Sequence, residues 1–400
     1  MKIKFSVPEL QKRLGQLCAV VARKSQEALY GNVRIFTKED GMVCLQGIDI
    51  DTTLTVKLPG AKAEGAVNIL LEFAVLNAIV QTLRATEVLI SYTTEAEAVI
   101  STGKYKGRLK ASPVEKFVEL PLVTGIAEKP ELGGYVFGLP GLKEQIEQVD
   151  FAVPAPDGKF VVASALLTST DTTLTVVATD GVFLATSSVP NANGAFKFTV
   201  PKPALEVLKK IDGGPSVTIS DTDGSFFFET ELELLTYNKT HAEFPPYEKI
   251  LPTPGTYPTQ VVINNKEELL NTLQRIRVSC PDKDKPGANF KVDAEGLLVT
   301  AIKEEKQATG DLYYEMGNDF LSCNLTGQPG QTKVDLKRLL SFVERATFPI
   351  TMFIKATSSV IDFHSMGSTQ EKPGYRFLIM PMRSDDDKVA SSVVQIPVTE

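Results

Sequence analysis

The stretch "LTVVATDGVFLATSSVP", residues 174–190, sets a carboxylate at the end of an apolar run and before a glycine. General acid or base work is the chemistry such a group could do. Asp180 would need a partner, and the chain has only two histidines, His241 and His364. A hydrolase using Asp180 with His241 is the catalytic reading; the plainer one is a turn, since Asp-Gly after a strand is a common way to reverse a β-chain. The remaining reactive types are sparse. Cys18, Cys44, Cys280 and Cys323 are far apart and form no C-x-x-C pair, which argues against a disulfide framework and against zinc. Neither histidine lies in an H-E-x-x-H helix, and "STGKYKGR" (101–108) lacks the spacing of a phosphate loop. No catalytic residue, metal or cofactor is expected.

The elements that would carry any site recur three times. A short strand and an amphipathic helix appear in "KFSVPELQKRLGQL", "VFGLPGLKEQIEQV" and "VINNKEELLNTLQRI". Leu10, Leu14 and Leu17, then Leu142, Ile146 and Val149, then Leu269, Leu273 and Ile276 each fall at i, i+4, i+7, one helix face. Second helices are expected from Leu71, Pro201 and Val334, giving a period of about 130 residues. Between them lie alternating β-type stretches with polar turns, such as "SVTISDTDGSFFFETELELLTY". Pro and Gly clusters after "KFVELP" and "EFPPYEKILP" mark joints, so domains of 1–128, 129–256 and 257–384 are expected, followed by a flexible tail, 385–400. The fold class is α+β. In this alignment Asp180 corresponds to Asp49 and to Lys303 in "AIKE", a pattern expected of a solvated strand end.

Formal charge is −7 over 400 residues, which by itself disfavours a polyanionic partner. The distribution matters more. Six helical windows (8–24, 71–84, 139–152, 201–213, 265–280 and 333–346) together carry +5, which leaves −12 on the rest. Basic helices and acidic sheets suit one face turned to phosphates and another that repels them. The 139–152 window, at −2, departs from that trend. Few aromatics lie on these helices and Trp is absent, so sequence-independent contact with a duplex backbone is favoured over base stacking. No apolar run approaches the ~18 residues of a membrane span, and the start lacks a secretory h-region. A cytoplasmic, nucleoid-associated protein with no membrane partner is expected.

"VVATDGVFLA", "EFPPYEKILP", "KFVELP" and "YRFLIMPMR", in this order and with the repeat behind them, resemble the bacterial DNA polymerase III beta subunits, the sliding clamps. The resemblance implies three clamp domains per chain and two chains head to tail in a dimeric ring around double-stranded DNA. It implies no enzyme activity but a processivity factor that tethers the replicative DNA polymerase catalytic subunit and is placed by a clamp loader; the rival reading is a peptide-binding scaffold that does not encircle DNA. It also implies a hydrophobic cleft for short linear motifs of client proteins. Matching positions give Val162, Thr179, Gly181, Leu184, Pro245, Ile250, Ser359, Leu378, Ile379, Met380, Pro381, Met382 and Arg383 as its lining. Val182 and Phe183 stand where the family usually has His-Arg, Lys249 where it has arginine, and Ser384 where it ends in leucine. DNA contacts are expected from Arg23, Lys24, Lys202, Lys209, Lys210, Arg275, Arg277, Lys337 and Arg338. The ring joint is expected at Leu109 and Val278.

Overall fold

The computed structural model describes residues 1–21, 28–94, 97–123, 134–155, 163–190, 194–239, 243–252, 255, 257–305, 312–355, 359–368, 374–382 and 393–394. The chain repeats one order of elements three times. The first repeat runs β1 (Lys2–Ser6), α1 (Val7–Leu17), β2 (Asn32–Thr37), β3 (Val43–Ile48), β4 (Thr52–Leu58), β5 (Lys62–Glu64), β6 (Asn68–Glu72), α2 (Phe73–Thr82), β7 (Glu87–Thr94), β8 (Glu97–Thr102) and β9 (Tyr105–Ser112). The second comprises β10 (Tyr135–Gly138), α3 (Leu139–Val149), β11 (Ser164–Ser169), β12 (Thr173–Thr179), β13 (Phe183–Pro190), β14 (Phe196–Pro201), α4 (Lys202–Leu208), β15 (Ser216–Asp221), β16 (Ser225–Glu229) and β17 (Glu233–Asn238). The third comprises β18 (Thr259–Ile263), α5 (Lys266–Ser279), β19 (Gly287–Val292), β20 (Leu297–Glu305), β21 (Leu312–Leu321), β22 (Asn324–Gly327), β23 (Gly330–Asp335), α6 (Leu336–Arg345), β24 (Ile350–Ile354), β25 (Ile361–His364) and β26 (Tyr375–Ile379). A two-residue strand, β27 (Val393–Val394), follows.

The apolar triads expected on the first helices are all buried, from Leu10 through Ile276. Each such side chain contributes about 2 kcal/mol by leaving water, which is why these faces fix how the helices lie. Caps set the ends. Asn265 accepts from the Glu268 amide at the start of α5, and Asp335 accepts from the Lys337 and Arg338 amides at the start of α6, relieving amides that have no partner within the helix. The second helices begin one to two residues later than expected, because Leu71–Glu72 and Val334–Asp335 still belong to strands.

Paired helices share a device. Gln11 of α1 donates to the Val80 and Leu83 carbonyls (2.9 and 3.1 Å), Lys143 of α3 to Ile211 (3.0 Å), and Lys266 of α5 to Glu344 and Ala346 (2.8 and 3.0 Å). In each repeat a polar side chain of the first helix meets the orphan carbonyls where the second one ends.

Antiparallel pairing carries sheets from one repeat into the next. β17 of the second repeat pairs β4 of the first, with Leu235 opposite Leu54. β26 of the third pairs β13 of the second, with Leu378 opposite Leu184. The result is a thirteen-stranded sheet, β10-β15-β16-β17-β4-β3-β2-β6-β9-β8-β7-β1-β5, a nine-stranded sheet, β14-β11-β12-β13-β26-β25-β24-β18-β22, and a five-stranded sheet, β23-β19-β20-β21-β27. These joints divide the chain into two compact units, Met1–Glu144 with Thr199–Ala242 and Gln145–Phe198 with Glu243–Glu400. The division passes through the second repeat. Residues 128, 256 and 384, where the domain boundaries were expected, lie outside the described residues.

The first unit is pinned by a buried charge cluster. Arg13 of α1 donates to Glu233 (2.7 Å) and Asp212 (2.9 Å), and Gln16 reaches both carboxylates. Gly213 sits against it, where an added Cβ would collide with the Glu233 carboxylate and the Thr230 hydroxyl. In the second unit the buried Asp362 receives both Arg376 Nε (2.8 Å) and Nη2 (2.5 Å), with His364 Nε2 3.0 Å away and the Tyr257 hydroxyl at 3.3 Å.

Candidate functional site

A groove of about 740 Å³ opens in the second unit where the second and third repeats meet. Leu184, Phe244 and Leu378 line its floor and belong, with Leu166 and Val177, to a buried cluster that Tyr247, Leu251 and Val360 extend. Leu184 and Leu378 come from the paired strands β13 and β26, so the joint itself builds the floor. Val182, Ile250 and Met380 are exposed at the walls. Large apolar side chains left open beside a concave floor are what a short peptide with apolar anchors requires.

The turn of the opening sequence forms one wall. Gly181 has φ +87°, the left-handed region that a turn here demands. Asp180 Oδ1 accepts from the Val182 and Phe183 amides (2.9 and 3.1 Å), and Oδ2 accepts from Arg338 Nη2 (2.8 Å). Thr179 Oγ1 accepts from the Gly181 amide and donates to the Phe183 carbonyl. The Arg338 guanidinium also lies 4.8 Å above the Phe183 ring, a cation–π contact. Both oxygens of Asp180 are thus committed to holding a wall in place. His241 lies outside the described residues.

Along the rim, Tyr247 belongs to the helical turn Tyr247–Ile250. Burial, reinforced by the charge of Glu248, pushes its hydroxyl up to about 12. It stays neutral at any ordinary pH and serves as an amphipathic wall. The Met380 amide donates to the Val182 carbonyl at 3.0 Å, tying the two flanks.

Of the residues expected to line the cleft, Thr179, Gly181, Val182, Phe183, Leu184, Pro245, Lys249, Ile250, Leu378 and Met380 do so. Ile379 does not: it is wholly buried on the opposite face of β26, because successive strand residues alternate sides. Met382 turns its thioether onto Gly287, while its amide donates to the Lys333 carbonyl, and neither Pro381 nor Ser359 lines the groove. Val162 and Arg383 lie outside the described residues. Asp180, Glu243, Phe244, Pro246, Tyr247 and Val360 were not expected and do line it. Spacing was the available signal, since Phe244, Tyr247 and Leu251 follow one another at three and four residues within "EFPPYEKILP".

The basic residues divide sharply. Lys210, Arg277 and Lys337 are exposed. Lys209 is paired with Glu206 (2.9 Å), Arg275 with Asp319, and Arg338 with Asp180 and Asp335. Lys202 is half-buried. Arg23 and Lys24 lie outside the described residues. Arg338, expected at DNA, instead braces the groove wall, held by the carboxylate of Asp180 and the face of Phe183. The helix expected to carry Lys209 and Lys210 ends at Leu208. Leu109 is only 2% exposed, its side chain turned to the interior from strand β9, whereas Val278 is 75% exposed. The alignment of Asp180 with Lys303 also needs correcting, since β20 continues to Glu305 and Lys303 sits within the ladder opposite Tyr314.

All four cysteines are free thiols, and burial pushes Cys44, Cys280 and Cys323 upward. Among the described residues no His, Cys, Asp and Glu side chains gather as a metal site, and no helix is long and apolar enough to cross a membrane.

Three repeats of paired helices on antiparallel sheets, with a groove at a repeat joint, define the sliding-clamp class of fold. Within that class, the solved structures and curated proteins that the chain matches are bacterial beta sliding clamps, the DNA polymerase III beta subunits, as its motifs implied. The structure matches the DNA polymerase III beta subunit of Thermotoga maritima with a TM-score of 0.81 at 19% identity, covering 96% of this chain and 99% of that one. For the beta subunit of Streptococcus pyogenes the TM-score is 0.82 at 15% identity, over 96% and 100%. A Pseudomonas aeruginosa sliding clamp solved bound to griselimycin gives 0.80 at 19%, again over 96% and 100%. By sequence, the beta sliding clamp of Chlamydia muridarum is 22% identical over 295 residues, 72% of this chain and 74% of that protein. That of Pseudomonas aeruginosa is 23% identical over 333 residues, 79% and 86%. No protein-family model matches the chain.

Proposed function

We propose that this chain is a non-catalytic DNA sliding clamp: two copies close head to tail around duplex DNA and hold the replicative polymerase on its template. The observation that carries this reading is the recurrence of one joint. The last strand of each later repeat pairs the fourth-position strand of the repeat before it, β17 on β4 and β26 on β13. Applying the same rule once more leaves β9 without a preceding repeat and β21 without a following one. Two copies complete both joints by laying β9 of each chain along β21 of the other, and six repeats then close. The domains would be 1–128, 129–256 and 257–384, with Val278, exposed near the end of α5, beside the closing joint.

Exposed Lys210, Arg277 and Lys337, with Arg23 and Lys24, would contact phosphates loosely and without reading sequence. The groove would receive apolar linear motifs from the polymerase catalytic subunit, the clamp loader and other clients. Its Met380 suits several clients, because a flexible thioether repacks around different side chains. Val182, Phe183 and Lys249, where the family usually has His-Arg and arginine, would set its own motif preference. A cytoplasmic site of action follows from this role.

The test is retention on DNA. Clamp placed by its loader on a nicked circular plasmid should stay with the plasmid through gel filtration and be lost when the circle is cut to linear form. Equal retention on circular and linear DNA, or none on either beside a peptide-binding groove, would leave the scaffold reading in its place.

A further inference from the structure

β21 is not bare. Val393 and Val394 of β27 pair its outer edge in parallel, opposite Tyr313 and Tyr314. On its inner edge β21 is fully engaged with β20, from Leu297 opposite Leu321 to Glu305 opposite Leu312. The outer edge of β21 at Tyr313 and Tyr314 therefore already has a partner strand, and it comes from this same chain. An edge strand's outward groups can pair one neighbour only.

The position of that pairing matters. In the two joints within the chain, the incoming strand engages the first residues of the receiving strand: Thr52 to Val56 of β4, and Phe183 to Ser187 of β13. Tyr313 and Tyr314 are the second and third residues of β21. β27 thus occupies the portion of β21 that the repeat's own rule reserves for the next strand. The local sequence suits an edge strand. Val393 and Val394 are β-branched, a residue type suited to strand pairing.

We propose that the C-terminal strand β27 is a built-in competitor of ring closure: it caps the β21 edge in the single chain and must leave before a second copy's β9 can pair there. This rests on the clamp reading given above. Because the competitor is part of the chain, it is present at every protein concentration and acts without a second molecule. A head-to-tail dimer has two joints, so two tails must leave. If the capped form outweighs the open one by about fivefold, about a sixth of the edges are open, and the apparent dissociation constant rises roughly thirtyfold over two joints.

The experiment compares full-length protein with a chain ending at Arg383 and with the full-length variant Val393→Pro/Val394→Pro, by sedimentation velocity from nanomolar to micromolar concentration. Both altered chains should dimerise at least about tenfold more tightly than full-length protein, and they should agree with each other. The double proline variant keeps the length of the tail, so agreement separates loss of pairing from loss of bulk. Equal dimerisation of all three, with circular DNA still retained, overturns the competitor and leaves the clamp intact. Failure of all three to dimerise, with no retention on circular DNA, overturns both. Weaker dimerisation of the shortened chain would show that the tail supports the ring and would reverse the inference.

Discussion

Replacing Asp180 separates the turn it builds from the charge it carries. In Asp180→Ala the Val182 and Phe183 amides lose their acceptor, and Arg338 loses a partner at 2.8 Å. Each amide bond to a carboxylate contributes about 1 kcal/mol, as helix caps do. The ion pair, whose side chains are 15% and 30% exposed, adds about 1 kcal/mol after allowance for solvent. The loss should come to about 3 kcal/mol. Asp180→Asn keeps an oxygen for the two amides and gives up the charge, so it should lose about 1 kcal/mol. Thermal unfolding followed by circular dichroism reads both, at about 2–4 °C per kcal/mol for a chain segment of this size. A fluorescein-labelled peptide carrying the proposed clamp-binding motif of the cognate polymerase reads the groove by anisotropy. The amides of Val182 and Phe183 set that wall, and the Val182 carbonyl ties it to Met380, so Ala should weaken the peptide about tenfold and Asn about two- to threefold. If Asn were as damaging as Ala in both assays, the carboxylate would be acting through its charge, and the turn argument would be wrong. Loss of a catalytic turnover in either variant would restore the Asp180–His241 hydrolase.

Arg13→Met strands the buried carboxylate of Glu233 and should cost about 3–5 kcal/mol, whereas Arg13→Met/Glu233→Gln should recover most of it; equal melting temperatures for single and double variants would refute the pairing. Burial alone would raise the Asp362 carboxyl, but His364 beside it and the hydrogen-bonded Arg376 hold it below the ordinary range. Its contribution is therefore fully present above about pH 4, the unfolded value, and is lost as pH falls through the folded one; urea midpoints between pH 5 and 2 should fall less steeply in Asp362→Asn, and parallel slopes would count against it. Reversing Lys210, Arg277 and Lys337 to Glu should shorten processive synthesis at least about tenfold while leaving peptide affinity unchanged; unchanged processivity would remove these helices from the DNA path.

The repeat was legible because it is written in burial. Triads such as Leu142, Ile146 and Val149 obey helical spacing whatever surrounds them, so three helices could be placed from apolar residues alone. The groove was legible in part, and its errors are instructive. Naming Leu378 to Met382 as a continuous wall ignores strand alternation, which sends Ile379 inward and leaves Leu378 and Met380 in the groove. Leu109 obeys the same alternation: in the middle of β9 its side chain faces the interior, so only the backbone of that strand is left to meet a neighbour. Arg338 shows a different limit. No one-dimensional count of charge reveals that an arginine in the first turn of α6 meets Asp180, 158 positions earlier, because that pairing exists only once β13 and β26 have joined.

Edges are the hardest feature to read in a sequence and here the most consequential. A strand inside a sheet announces itself by apolar residues on its buried faces. An edge is defined by what fails to follow it, and no residue type encodes an absence. The outer sides of β9 and β21 become recognisable as candidate joints only after the joint between repeats has been seen twice, because β9 meets β6 only at Ala111 and Ser112 and β21 meets β27 only at Tyr313 and Tyr314. A two-residue strand such as β27 leaves still less trace, since two residues are too short a run for any alternation to register. Its place on β21 nonetheless bears on the same groups that would close a ring. A clamp must be able to open as well as close, and the balance is set at its weakest joint. In this chain the joints within each unit are reinforced by charge, the buried pair Arg13 with Glu233 in one and the half-buried pair Arg338 with Asp180 in the other, and a broken pair there would leave a charge without its partner. The outer edge of β21 is held by only two residues of parallel backbone pairing, so on the reading proposed above the reversible step of ring assembly would fall there.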